Sequence, residues 1–313
     1  MSAEPLFRDF WYPVLPSTSL TSGESQSLTV RGSAHRLSRV GGAAILSEAG
    51  ESTATCEVNG LVFAWSGSGE PDWQVHPLPE FDDPSWTPLT WRRLGPYAAT
   101  ARDVMRDVVD NGHFEPVHGL MGAATSAWEE GPHLRTVSQG KVGIPRRYPS
   151  LVRRGLTPRG HLRLEGRIHG PCLLSYRGTL SFGIHLEHIL LSAVVPIDEA
   201  TVEIWIGVSI QRQPLLPNWI VQRRIMDDLQ SDYDKDAALW KLCQDNAAAG
   251  GVPAPAQRPV LEEEARLFSV FDDWWGSFHP EPGSPPGDGV GRVKSPPRPR
   301  ATARTSAPRA GPE

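Results

Sequence analysis

The stretch that most constrains the fold is residues 161–211. Here four runs of strand formers, His161–His169, Leu173–Phe182, His185–Val195 and Thr201–Gln211, follow one another with only Gly- or Pro-containing breaks. Consecutive strands of this length pair as an antiparallel meander with a sizeable inner face. Pro214 and Pro217 end the pattern, and Trp219–Asn246 then carries Ile220, Ile225, Leu229, Tyr233, Ala237, Trp240 and Leu242, mostly at helical spacing. Such a helix can lie across the sheet. A second helix is predicted over Leu261–Phe278, with Glu262–Glu264 in its first turn, where acid suits the helix dipole.

Upstream, residues 1–95 are rich in turn formers and short β-type runs: Phe10–Leu15, Ser27–Val30 and Asn59–Trp65. Six prolines between 71 and 96 mark an irregular connector. Ala98–Val109 has helical spacing through Ala98, Ala101, Val104, Met105 and Val108. Beyond an Ala/Gly/Pro linker at Gly250–Pro259, large apolar residues vanish from Pro280 onward, and that basic tail cannot bury enough to order itself. The expected organisation is therefore a β unit with its connector over 1–95, a sheet-and-helix unit over 96–279 and a disordered tail over 280–313.

The formal charge of −5 gives no sign of nucleic acid as a bulk partner. Cys56, Cys172 and Cys243 lie far apart and form no CxxC pair, which argues against a disulfide framework and fits a reducing compartment. The N-terminal residues read as no signal peptide, and the longest apolar run, Ile189–Val195, is too short to span a bilayer. The expectation is a cytoplasmic protein without a membrane span.

The chemistry concentrates in Asp107–His118. Asp110, His113 and His118 place an acidic residue three before the first of two histidines five apart, so two imidazoles can face one metal with a carboxylate beside them. Divalent iron held by two histidines and one carboxylate is the usual haem-free centre for dioxygen activation. The third ligand must come from elsewhere. The helix after the meander offers Asp227, Asp228, Asp232, Asp234, Asp236 and Asp245, most of them a solvated acidic face. His185, Glu187 and His188 do not converge on a strand, because 185 and 187 share one face and 188 takes the other. Arg146–Arg147 and Arg153–Arg154 are short basic patches on solvated loops, with docking of an acidic redox partner as the alternative reading.

Taken together, these stretches resemble the catalytic subunits of Rieske non-haem iron oxygenases, especially the ketosteroid hydroxylase and cholesterol desaturase branch. Asp110-x-x-His113-x-x-x-x-His118 matches the family's iron motif. Gly170-Pro171, Pro196–Glu199, Asp236–Trp240 and the aromatic set Phe271, Trp274 and Phe278 follow in the family's order. The resemblance implies an α+β fold: an antiparallel helix-grip (START-like) catalytic domain preceded by a Rieske-like β domain. It implies Fe(II) held by His113, His118 and Asp236, with Asp232 as the fallback ligand. Asp110 would orient His113 and relay electrons from the cluster of a neighbouring subunit in a trimer.

One part of the family pattern is missing. Its N-terminal domain holds a [2Fe–2S] cluster with two thiolates and two imidazoles, whereas the first 100 residues here contain one cysteine, Cys56, and two histidines, His35 and His76. No [2Fe–2S] cluster is expected in this chain. The implied function is a non-haem iron oxygenase that uses dioxygen to hydroxylate or desaturate a hydrophobic, steroid-like or polycyclic molecule, as in steroid or natural-product metabolism. Its electrons would come from a redox partner protein or a cluster-bearing homologue in a mixed trimer. The alternatives are a non-catalytic subunit or hydrophobic-ligand-binding module, and a redox-neutral metal-assisted enzyme.

Overall fold

The computed structural model describes residues 10–48, 50–67, 69–71, 73–143, 159–181, 185–214, 217–248 and 262–278. The expected tail, the Gly250–Pro259 linker and both Arg pairs lie outside the described residues.

The meander is present and larger than expected. Strands β8 (Thr90–Ala98), β9 (Leu120–Glu130), β10 (His133–Gly143), β11 (Arg159–Ile168), β12 (Leu173–Ser181), β13 (His185–Pro196) and β14 (Thr201–Ile210) form one antiparallel sheet. Its order is β8-β14-β13-β12-β11-β10-β9. Two expectations needed correction here. The irregular connector was expected to run through Pro96, but Thr90–Ala98 is a strand; Gly95 and Pro96 sit at a register shift between Leu94 and Tyr97 on an edge strand, where proline is tolerated. The predicted helix from Ala98 shortens to α1 (Ala101–Arg106), because Ala98 closes that strand and Thr100 caps the helix in a reciprocal pair with Asp103.

The apolar run Ile189–Val195 is explained by burial on both faces of β13. On one face, Val202, Ile204, Ile206, Val208 and Ile210 of β14 are fully buried and join a core with Met226, Tyr233 and Trp240. These three lie on α4 (Asn218–Ala248), the long helix that crosses the sheet. Polar ties fix it there: Gln222 Nε2 donates to the Val208 carbonyl at 2.6 Å, and the Tyr233 hydroxyl donates to Ser192 at 2.7 Å. On the other face, Leu173, Ala193 and Trp205 pack against the N-terminal strands. Those strands form two small sheets. One is β1 (Trp11–Pro16), β7 (Leu61–Trp65) and β6 (Thr55–Val58); the other is β2 (Ser25–Val30), β3 (Ser33–Val40), β4 (Ala43–Glu48) and β5 (Glu51–Thr53).

Gly170 has a specific task. Its φ of +70° suits glycine, and a Cβ there would fall 1.6 Å from the Phe10 ring, so the N-terminal strand seats directly on the turn into β12. Gly178 does the same for His188 across the β12–β13 pair, where a Cβ would sit 2.0 Å from Nε2. His188 is thereby buried inside the sheet while His185 and Glu187 pair at the surface, 3.5 Å apart.

Burial pushes the His188 imidazole down to about 4. A histidine whose folded value is depressed costs stability as pH falls, because below about 6.5 the unfolded chain takes up a proton that the folded chain refuses. With about 1.4 kcal/mol per pH unit, the penalty reaches about 2 kcal/mol at pH 5. The stability gap between the wild type and His188→Gln is therefore expected to shrink by about that amount between pH 7.5 and pH 5, read from urea midpoints. An unchanged gap would contradict the buried neutral imidazole.

Candidate metal centre

After α1 the chain makes one helical turn, α2 (Asn111–His113), and runs straight into a π-helical turn, α3 (Phe114–His118). Residues five apart diverge on an α-helix but come together on a π turn, a geometry found at functional sites. Pro116 offers no N–H for an α-helical ladder, and Gly119, at φ 73°, lets the chain leave in the left-handed region. The His113 and His118 rings consequently lie 4.9 Å apart. The five-residue spacing in the sequence is thus explained by a π turn rather than by α-helical periodicity.

Several groups hold this turn in place. Asp110 caps it through Gly112 N–H at 3.1 Å, and the buried Glu264 of α5 (Glu262–Gly276) accepts the same N–H at 3.0 Å. Asn111 donates to the Ala123 carbonyl of β9 and accepts from Thr125. Asp107 accepts the Trp240 indole N–H at 2.7 Å, tying the end of α1 to α4.

Across from the two rings, α4 presents Asp236. Ligand atoms of His113, His118 and Asp236 all lie within 4.8 Å of one another, and the His118 Nε2 to Asp236 Oδ1 distance is 3.0 Å. Asp236 Oδ1 is nevertheless buried without a hydrogen-bond partner, as are the Nδ1 atoms of both rings. Unpaired buried polar atoms are costly, and the carboxylate oxygen of Asp236, which faces the imidazoles, calls for a cation; the two Nδ1 atoms lie instead on the sides of Asp110 and Asp232. Donors about 2.1 Å from one ion at right angles lie about 3 Å apart, so this set fits a divalent metal. Two imidazoles with one carboxylate is also the donor set suited to Fe(II). A second group, Asp107, Asp110 and His113, has ligand atoms within the same limit and shares His113, with Asp110 Oδ2 3.8 Å from His113 Nδ1.

Protonation follows this crowding of acid and imidazole. Burial alone would lower the His118 imidazole, but Asp232 and Asp236 raise it to about 9. Burial pushes Asp107 up to about 7, reinforced by the charges of Asp236 and Asp110 and opposed by His113 and the Trp240 bond. A bound cation would offset the charge of these carboxylates and displace protons from its ligands.

All four residues singled out from the sequence, Asp110, His113, His118 and Asp236, are brought together. Sequence reasoning missed Asp107, Trp240, Lys235 and Glu264 as parts of the site, and it weighed Asp232 only as a substitute ligand. Asp232 precedes Asp236 by one helical turn, so a shared face was visible in the spacing; no local signal marks Glu264. A groove of about 1280 Å³ lies away from this centre, in the N-terminal sheets, with Tyr12, Arg31, His35 and Trp65 among its lining residues.

Comparison with known proteins identifies the family. Residues 64–248 match the family description of the 3-ketosteroid 9alpha-hydroxylase C-terminal domain. A curated relative, the oxygenase component of 3-ketosteroid-9-alpha-monooxygenase from Rhodococcus rhodochrous, is 22% identical over 237 residues, covering 72% of this chain and 56% of the relative. A second from the same organism is 24% identical over 234 residues, with 71% and 55% covered. The chain thus spans little more than half the length of these relatives. Among solved structures, dicamba monooxygenase bound to dicamba superposes with a TM-score of 0.63 at 12% identity, covering 87% of this chain and 98% of that one. The oxygenase of the carbazole 1,9a-dioxygenase complex with ferredoxin gives 0.55 at 13%, covering 83% and 87%. With more than half of its length matched, the chain belongs to the 3-ketosteroid 9alpha-hydroxylase C-terminal domain family.

Proposed function

We propose that this chain is the iron-bearing component of a non-haem oxygenase that hydroxylates or desaturates a hydrophobic, steroid-like or polycyclic small molecule. The observation that carries the reading is the trio of His113, His118 and Asp236, whose ligand atoms lie within 4.8 Å of one another with Asp236 Oδ1 buried and without a hydrogen-bond partner. Fe(II) held by these three would leave positions open for dioxygen and supply its activation. The residues around them have separable tasks. Asp110 backs the His113 ring and fixes which nitrogen faces inward. Glu264 and Asn111 hold the turn that carries both imidazoles. Trp240 and Asp107 lock the start of that turn to the helix bearing Asp236.

The sheet curving around α4 reads as a helix-grip catalytic domain, and the two small N-terminal sheets read as a Rieske-like β domain without its cluster. Residues 1–100 lack the two thiolates that a cluster needs, and burial pushes the one thiol present, Cys56, up to about 11, so it stays protonated. Electrons would then come from a group outside this sequence, for which we propose a redox partner or a cluster-bearing homologue in a mixed trimer. The reduced complex between oxygenase and ferredoxin in carbazole 1,9a-dioxygenase supports a separate protein partner for this chain.

Oxygen uptake with a panel of steroid-like substrates tests the proposal. Turnover is expected only when a reduced cluster-bearing protein is added to the iron-loaded chain. Full-rate turnover with chemical reductant alone would remove the partner. A chain that takes up no iron yet binds the same ligands would replace the enzyme with a binding module. Among the described residues no helix is long and apolar enough to cross a membrane.

A further inference from the structure

We propose that Asp232, pinned by Lys235, is the positioning residue that orients His118 for metal binding, an assignment that rests on the metal-centre reading above. Asp232 and Asp236 lie one turn apart on α4 and address opposite nitrogens of the same imidazole. Asp236 Oδ1 is 3.0 Å from Nε2, and Asp232 Oδ1 is 3.4 Å from Nδ1. The two nitrogens of an imidazole point in divergent directions, so one ion cannot engage both, and the two carboxylates must have different roles. Asp236 groups with His113 and His118, is 7% exposed and has an unpaired oxygen. Asp232 is outside that trio, has a side chain 34% exposed, and has its Oδ1 2.7 Å from Lys235 Nζ.

This arrangement divides the labour. A neutral histidine that gives one nitrogen to a metal carries its proton on the other, and the acceptor of that proton sets both tautomer and ring angle. His118 Nδ1 is buried and in no hydrogen bond as it stands, so the Asp232 carboxylate beside it is the acceptor within reach of a small ring rotation. Lys235 restrains that carboxylate through its 2.7 Å contact with Asp232 Oδ1. His118 needs such a brace because it is the last residue of the π turn, with the left-handed Gly119 immediately after it. His113 has the corresponding arrangement with Asp110 on its Nδ1 side. Each ligand imidazole is thus backed by its own aspartate, one from the turn and one from α4.

The test uses the full-length chain with Co(II) in place of Fe(II), in chelator competition and by paramagnetic proton NMR. Asp232→Ala is expected to weaken Co(II) by about 10- to 100-fold, with Asp232→Asn recovering part of the loss because its amide oxygen still accepts a hydrogen bond. The wild type should show exchangeable, shifted imidazole N–H signals from both ligands, and Asp232→Ala should lose one of them to solvent exchange while its melting temperature stays close to wild type. Asp232→Ala with both signals and with affinity within about twofold of wild type would overturn the assignment, provided His113→Ala and Asp236→Ala still lose the metal. Loss of Co(II) in Asp232→Ala with retention in Asp236→Ala would overturn it differently, making Asp232 the ligand. If none of these variants changes Co(II) binding, the metal centre itself is wrong, and the inference falls with its premise.

Discussion

Alanine at His113, His118 or Asp236 is expected to abolish stoichiometric iron binding and oxygen-dependent turnover together, while leaving the fold in place. Each residue supplies one of three converging donors, and a site reduced to two protein ligands cannot hold a divalent ion against water and chelators. The fold should survive because none of the three builds the core. His113 and Asp236 are buried but touch the turn and α4 rather than the sheet, whose interior is formed by β13, β14 and the apolar side of α4. Without metal, His118→Ala should lower the melting temperature modestly, because Asp232 and Asp236 lose the imidazole that pairs with them. Iron content after anaerobic loading and circular dichroism on the same samples check both halves. A variant that keeps its iron would remove that residue from the ligand set.

Asp110→Ala is expected to behave differently: iron retained at saturating Fe(II), turnover reduced by about 10- to 100-fold. Asp110 lies 3.8 Å from His113 Nδ1, too far for a hydrogen bond in the metal-free chain, and its other oxygen caps the turn through Gly112. Losing the carboxylate therefore frees the ring and loosens the turn, while Glu264 still accepts the Gly112 N–H. If Asp110 also lies on the electron route from a partner, Asp110→Asn should keep the cap yet still lose turnover, with single-turnover chemistry from pre-reduced protein less affected than steady-state turnover. Equal rates for wild type and Asp110→Asn under partner-driven turnover would confine Asp110 to a structural role.

The meander and the long helix were legible because their signals are periodic: β14 carries Val202, Ile204, Ile206, Val208 and Ile210 at every second position, and α4 keeps its apolar residues mostly at helical spacing. Strand β8 was obscured by Gly95 and Pro96, which read as loop but sit at a register shift on the sheet edge. Strand β9 was invisible for another reason. Met121, Gly122, Ala123 and Ala124 have weak strand preference; Met121 and Ala124 pair with β10, and Gly122, at φ 59°, lies at the register shift between them. At the site, the ligands were legible because motif and order are linear features. The braces were not, since Glu264 reaches Gly112 from 152 residues away, and nothing local separates Asp232, which lies beside His118 Nδ1, from Asp227, Asp228 and Asp234.

The central claim is an iron centre without a cluster in the same chain, and one measurement addresses it directly: iron and acid-labile sulfide in the purified, anaerobically Fe(II)-loaded protein. A single iron per chain with no labile sulfide is the expected result. Absence of bound iron, or additional iron accompanied by labile sulfide, would contradict it.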